Sequence, residues 1–363
     1  MKHVITVIGA GNGGTAIAAH LTSAGAETRL CDLFPQYIEG IKTAGGIELT
    51  DNGKTVFVSP ALVTDDVPAA VQGAKLIMVV TPAFTHKMIA EKICDTLEDG
   101  QIIVLNPGRT AGALEFYNTL RTKGCEKDVI VAEAQTLIYS TRKTGDHAVH
   151  IYGTKQSVDL SAFPGNRIRE VLEVLSPYYP QFTPVPSVLK TSLTNIGSMF
   201  HPTPILLNIG RIESDERGFR YYWDGITPSV AALIEKLDAE RVAVAKAYDV
   251  EVPTAKEWLL RSYTTHGDSL FELIRNNDAY GEIKAPTTIQ ARYMTEDVPN
   301  GLVPIAALGA AAGVSTPNIN AVITLACSIY SRDFRKEGRS LENLGLAAME
   351  KEEICQYFKT GRR

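Results

Sequence analysis

Short runs of β-branched and aliphatic residues alternate with stretches of helical periodicity through the first half of the chain. Val4-Ile5-Thr6-Val7-Ile8 reads as a buried strand, and Gly13 to Ser23 then carries Ala, Ile and Leu at helical spacing. Thr28–Cys31, Leu76–Val80, Ile102–Leu105 and Val129–Val131 predict further strands, and Ala148–Gly153 a late one. Strands without a polar face, separated by helices, predict a doubly wound parallel sheet covered on both sides. Between Ser176 and Ser187 stand Pro177, Pro180, Pro184 and Pro186, too many for a helix interior. The boundary is therefore expected here: an α/β Rossmann-type domain over 1–183 and an all-α domain over 184–363. In the second part Val230, Leu233, Ile234, Leu237, Val244 and Tyr248 keep the i, i+3, i+4, i+7 rhythm of one apolar face. Ser315-Thr316-Pro317 opens another helix, expected to run to Tyr330. The segment from Lys351 is charged and is expected to fray.

Composition narrows the class. The 363 residues are 45% hydrophobic and 21% charged, the balance of a globular chain, and the length favours two domains. A net charge of -5 argues against nucleic acid or an anionic membrane surface as the main partner. No apolar run is long enough to span a membrane, and Met1-Lys2 lead straight into a strand without a signal-peptide apolar region. Cys31, Cys94, Cys125, Cys327 and Cys355 are scattered, giving neither a disulfide framework nor a metal pattern. The expectation is a cytoplasmic protein without a metal, acting on small molecules; a homodimer is compatible with it.

Gly9-Ala10-Gly11-Asn12-Gly13-Gly14 fits G-x-G-x-x-G directly after a buried strand and before an amphipathic helix. In that context Gly9 permits the tight turn, Gly11 lets backbone approach a pyrophosphate, and Gly14 allows close helix–strand approach, while Asn12 and Gly13 supply N–H groups at the helix start. Asp32 ends the second strand, where a carboxylate accepts from the adenosine ribose and repels a 2′-phosphate, so NAD is favoured over NADP. Thr81-Pro82 and Asn106-Pro107-Gly108 follow the next two strands at the edge where ligands bind in open sheets. They either line the nicotinamide or are ordinary strand-to-helix turns.

Hydride transfer asks the protein for placement and one acid–base group, and histidine suits that task. Among seven histidines, His201 stands out in Thr194-Asn195-Ile196-Gly197-Ser198-Met199-Phe200-His201-Pro202. Periodicity alone favours a buried structural histidine there. The stretch Arg292-Tyr293-Met294-Thr295-Glu296-Asp297-Val298-Pro299 shifts that balance, since an Asp orients an imidazole and an Arg fork matches a carboxylate. A solvated charged loop reads the same way, and spacing leaves both open.

These segments together resemble the octopine/nopaline (opine) dehydrogenase family over nearly the whole chain. The carrying residues are the Gly9–Gly14 turn, Thr81-Pro82-Ala83 with His86, Leu105-Asn106-Pro107-Gly108, and Glu133-Ala134-Gln135-Thr136-Leu137 running on to Arg142. In the second half they are Asn195–Pro202, Tyr222–Ser229, Asp238-Ala239-Glu240-Arg241 and Arg292–Pro299. The resemblance implies NADH-dependent reductive condensation of an amino acid with a 2-oxo acid, commonly pyruvate. It implies His201 as acid–base catalyst paired with Asp297, Arg292 on the oxo-acid carboxylate, and Gln135 near the amino-acid side chain. Family members often carry Asn four residues before the histidine; here that residue is Gly197, with Asn195 as a substitute. Two readings stay open beside it. One is direct reduction of a carbonyl, as in 2-oxo, 3-hydroxy acid or ketopantoate-type dehydrogenases, with Lys190 central. The other is an NAD-binding sensor without catalysis.

Overall fold

A computed structural model describes residues 3–362 and divides them into two compact units, residues 3–191 with 356–362, and residues 192–355. The boundary expected at 183/184 thus moves to 191/192. Phe182–Pro184 is a strand of the first unit, and helix Val188–Leu193 carries the chain across the division.

In the first unit the strands are β1 (Val4–Ile8), β2 (Glu27–Cys31), β3 (Ile47–Asp51), β4 (Lys54–Val58), β5 (Leu62–Thr64), β6 (Leu76–Val79), β7 (Ile102–Leu105), β8 (Ile130–Ala134), β9 (Tyr139–Lys143), β10 (Ala148–Thr154), β11 (Val158–Phe163) and β12 (Phe182–Pro184). Eight of them form one sheet in the order β12-β11-β8-β7-β6-β1-β2-β5. Pairing is parallel from β8 to β5, and β11 runs antiparallel to β8. The chain moves outward from β1 to β2 and then returns to place β6 on the other side of β1, so the switch point lies between β1 and β6. β6, β7 and β8 are buried at every position, which explains why their sequences lack alternation.

Ala148–Thr154 does not extend this sheet. It pairs with β3 and β9 in a second sheet of order β4-β3-β10-β9. The C-terminal segment does not fray either: Lys351–Thr360 is a helix. Within the first unit its Tyr357 and Phe358 pack edge-on against Phe163, and the Tyr357 hydroxyl bonds Asn118 at 2.7 Å.

The second unit is helical. Its longest helix, Pro228–Ala247, starts at Thr227, whose side chain accepts from the Val230 N–H. Arg241, fully buried on this helix, donates to Asp238 and to the carbonyls of Leu193 and Pro253, which ties down the segment leading to Asn195. Helix Pro317–Tyr330 ends where the sequence placed it. Among the described residues no helix is long and apolar enough to cross a membrane.

Candidate active site

The glycine turn joins β1 to helix Asn12–Ser23. Gly9 has φ +107, a region that favours glycine, and a Cβ there would lie 2.6 Å from the Val80 carbonyl oxygen. A Cβ on Gly14 would come within 1.7 Å of the Gly9 carbonyl oxygen. A Cβ on Gly11 would meet nothing within 4 Å, so the turn offers an open face at the helix N-terminus. Those features fit a dinucleotide pyrophosphate. Gly13 sits against Leu137 and Val80 instead. The Asn12 amide oxygen accepts from the Lys143 N–H at 2.9 Å, so this side chain clamps β9 of the small sheet to the turn.

Asp32 follows β2 and is buried. One carboxylate oxygen accepts from the Ala10 N–H at 2.7 Å and the other from the Phe34 N–H at 2.9 Å. It therefore braces the glycine turn itself, and a carboxylate still has lone pairs for a ribose hydroxyl. Just beyond it Phe34 and Tyr37, which sequence reasoning passed over, are 50% and 49% exposed and meet edge-on at 6.2 Å. Their exposure beside an acidic strand end suits a flat base. Lys143 donates to the Tyr37 carbonyl, and burial holds its ammonium below the usual lysine range.

At the same sheet edge Thr81 accepts from the Thr85 hydroxyl, and Pro82 precedes the short helical turn Ala83–Thr85. His86, fully buried, begins helix His86–Ile93. Asn106 is buried with its amide on the Val104 carbonyl. Gly108 lies against Glu133, where a Cβ would be 2.4 Å from the carboxylate. Glu133 is a third residue to which the sequence assigned no role. Fully buried at the end of β8, it accepts from the Ala113 N–H at 2.8 Å and the Thr191 hydroxyl at 2.6 Å. Gln135 follows β8, half-buried, with its N–H on the Asp159 carbonyl. Lys190 stands near Asp159, whose carboxyl is raised above its ordinary range chiefly by burial.

In the second unit His201 and Asp297 meet, although they are distant in sequence. His201 Nδ1 lies 2.7 Å from Asp297 Oδ2, and the Asp297 side chain is 1% exposed. Since a carboxylate accepts, Nδ1 carries the hydrogen and Nε2 is the nitrogen left for a reactant. The backbone of His201 is fixed by the Tyr221 hydroxyl, which donates to its carbonyl at 2.5 Å. Arg292 reaches neither of them. Its Nε and Nη2 donate to one oxygen of buried Glu296 at 3.0 and 2.6 Å, while its side chain stays 61% exposed. Asn195 is buried and its amide donates to the Ser198 hydroxyl at 2.8 Å, a support within the loop. Among the described residues no cluster of three or more His, Cys, Asp or Glu side chains is arranged to hold a metal.

A Rossmann-type nucleotide unit joined to a helical unit bearing a His–Asp pair defines a two-domain, dinucleotide-dependent oxidoreductase. Residues 4–132 match the NAD-dependent glycerol-3-phosphate dehydrogenase N-terminus, and residues 184–330 match the NAD/NADP octopine/nopaline dehydrogenase alpha-helical domain. The chain is 41% identical over 343 residues to an opine dehydrogenase of Arthrobacter sp. (strain 1C), covering 94% of this chain and 95% of the relative. The chain belongs to the opine dehydrogenase family. Its fold is similar to octopine dehydrogenase solved with NADH and L-arginine, at TM-score 0.84 and 21% identity over 99% of this chain and 98% of that one. The same enzyme solved with NADH and pyruvate gives TM-score 0.79 at 21% identity, again over 99% and 98%.

Proposed function

We propose that the protein condenses an amino acid with a 2-oxo acid, with pyruvate as the working oxo acid, and reduces the resulting imine reversibly to an N-(1-carboxyalkyl) amino acid. The observation that carries this reading is the His201–Asp297 pair with Nε2 unclaimed, in a chain whose other unit bears the glycine turn. Condensation releases water, and reduction of the imine takes a hydride at carbon and a proton at nitrogen. NADH, when bound, supplies the hydride. His201 holds and moves the proton at Nε2, and Asp297 keeps the ring in one tautomer. Arg292, steadied by Glu296 on its Nε side, turns the rest of its guanidinium outward for the oxo-acid carboxylate. Gln135 faces the amino-acid side chain, Asn195 supports the histidine loop, and Thr81, Pro82, Asn106 and Gly108 shape the nicotinamide end. Asp32 reads the ribose, with Phe34 and Tyr37 as the adenine platform, so the enzyme uses NAD in preference to NADP.

The test is NADH oxidation with pyruvate and a panel of amino acids. Turnover requires the amine, and His201→Ala abolishes nearly all of it. Turnover without an amine would instead support direct carbonyl reduction, and a full rate in His201→Ala would remove the mechanism.

A further inference from the structure

We infer that Tyr293 is a positioning residue for the acid–base step, its ring lying on the face of His201 so that the imidazole keeps one plane. The inference rests on the proposed role of His201. The two rings are 4.2 Å apart between centroids and inclined by only 14°. Tyr293 is in turn braced by Tyr221 at 5.0 Å, Tyr221 meets Tyr222 edge-on at 5.0 Å, and Tyr222 stacks on Tyr280 at 4.1 Å. The stack is thus anchored in an aromatic row and does not hang from a single side chain.

Geometry explains why a second constraint is needed. The ring is tethered at Cβ and held by Asp297 at Nδ1, which still leaves the imidazole free to swing about the line through those two points. Such a swing sweeps Nε2, the atom that exchanges the proton, across the site. A flat ring pressed on one face removes that freedom without competing for Nε2. The chain delivers both constraints from one short stretch: Tyr293 lies on the helix Arg292–Thr295, and Asp297 follows just beyond its end. None of this needs the phenolic hydroxyl, so phenylalanine serves equally. A catalytic atom displaced by about 1 Å loses about 10²-fold in rate.

The experiment compares full-length wild type with Tyr293→Phe and Tyr293→Leu, by steady-state kinetics and by NMR of the His201 ring protons, assigned through His201→Asn. Tyr293→Phe is expected to keep kcat within about twofold and to retain the ring-current shift of the imidazole signals. Tyr293→Leu is expected to lose that shift and between about ten- and 10²-fold in kcat, with the Kd for NADH unchanged. Should Tyr293→Leu not fold, Tyr293→Met fills the space without a flat ring and carries the same two outcomes. Wild-type kcat in Tyr293→Leu or Tyr293→Met, or a Phe variant as impaired as Leu, overturns the inference. Failure of the underlying reading looks different: His201→Asn then keeps turnover, while the ring-current shift persists in wild type.

Discussion

Two alanines in the glycine turn separate fold from cofactor binding. At Gly14 the added methyl would sit 1.7 Å from the Gly9 carbonyl oxygen, against an ordinary contact of 3.4 Å or more, so the turn has to open by about 1.7 Å. Overpacking of that kind costs about 1–3 kcal/mol, and the helix gains back under about 1 kcal/mol from losing a glycine. Gly14→Ala should therefore lower the melting temperature by several degrees, and distort the turn enough to weaken NADH as well. Gly11 is the contrasting case. Its φ of -73 and ψ of -168 suit any residue, and nothing lies within 4 Å of its Cβ direction. Gly11→Ala should melt with wild type, yet its methyl stands on the open face the pyrophosphate needs. NADH affinity should fall at least about tenfold, or about 1.4 kcal/mol. Fluorescence titration with NADH beside thermal melts reads both quantities on the same samples. Wild-type affinity in a stably folded Gly11→Ala would show that the pyrophosphate does not approach this turn.

Other consequences follow from single contacts. Asp297→Asn should lower kcat by about 10²-fold or more with NADH affinity unchanged, because an amide is uncharged and can donate to Nδ1, which no longer sets one tautomer; unaltered kcat would refute the pairing as catalytic. The Arg220 fork on Asp224 holds that carboxyl at about 2, below its ordinary 3.8. A lowered carboxyl stabilises above its unfolded value and ceases to as pH falls through the folded one. Asp224→Asn should thus cost about 0.5 kcal/mol at pH 7, this pair being largely solvated, and nothing below about pH 2. Melts across that range check it, and an equal cost at both ends would contradict the assignment. Ending the chain at Glu350 removes Tyr357 and Phe358 from Phe163 and should cost about 3 kcal/mol or more in urea denaturation of the first unit. A truncated chain with wild-type stability would return the tail to the frayed segment its charges suggest.

The parts of the fold legible in sequence are those buried on both faces. β6 and β7 declare themselves as uninterrupted apolar runs, and β1 as one broken only by Thr6. The small sheet does not, because its strands are partly solvent-facing: β4 is exposed along most of its length, and β3 alternates. The sequence therefore predicts a strand at Ala148–Gly153 but not the second sheet to which it belongs. The C-terminal helix was masked by its charges, although Ile354, Tyr357 and Phe358 keep i, i+3, i+4 spacing that would have found it. In the site, residue types were readable and partners were not. Asp32 was placed correctly at a strand end, yet its partner N–H groups belong to Ala10 and Phe34, contacts set by the turn and not by spacing. Glu133 offered a signal of its own, a lone carboxylate inside Val-Ile-Val-Ala-Glu-Ala, where an acid is costly unless bonded.

In the proposed mechanism much of the chemistry falls to one short stretch, Arg292–Asp297. Arg292 and Glu296 pair at i and i+4 across the short helix Arg292–Thr295, while Tyr293 on that helix and Asp297 just beyond it both meet His201. The first pair joins an exposed cation to a buried anion, and the second joins a flat ring to an orienting carboxylate on the same imidazole. Because Glu296 takes both Nε and Nη2 of Arg292 on one oxygen, the guanidinium is oriented before any carboxylate arrives, and the ordering entropy of a long side chain is already spent. Likewise Tyr293 and Asp297 settle the histidine before a proton moves. On the proposed mechanism, anion recognition and proton transfer are thus preorganised within one short stretch, so a deletion or insertion between Arg292 and Asp297 would uncouple the pairs even with every residue type retained.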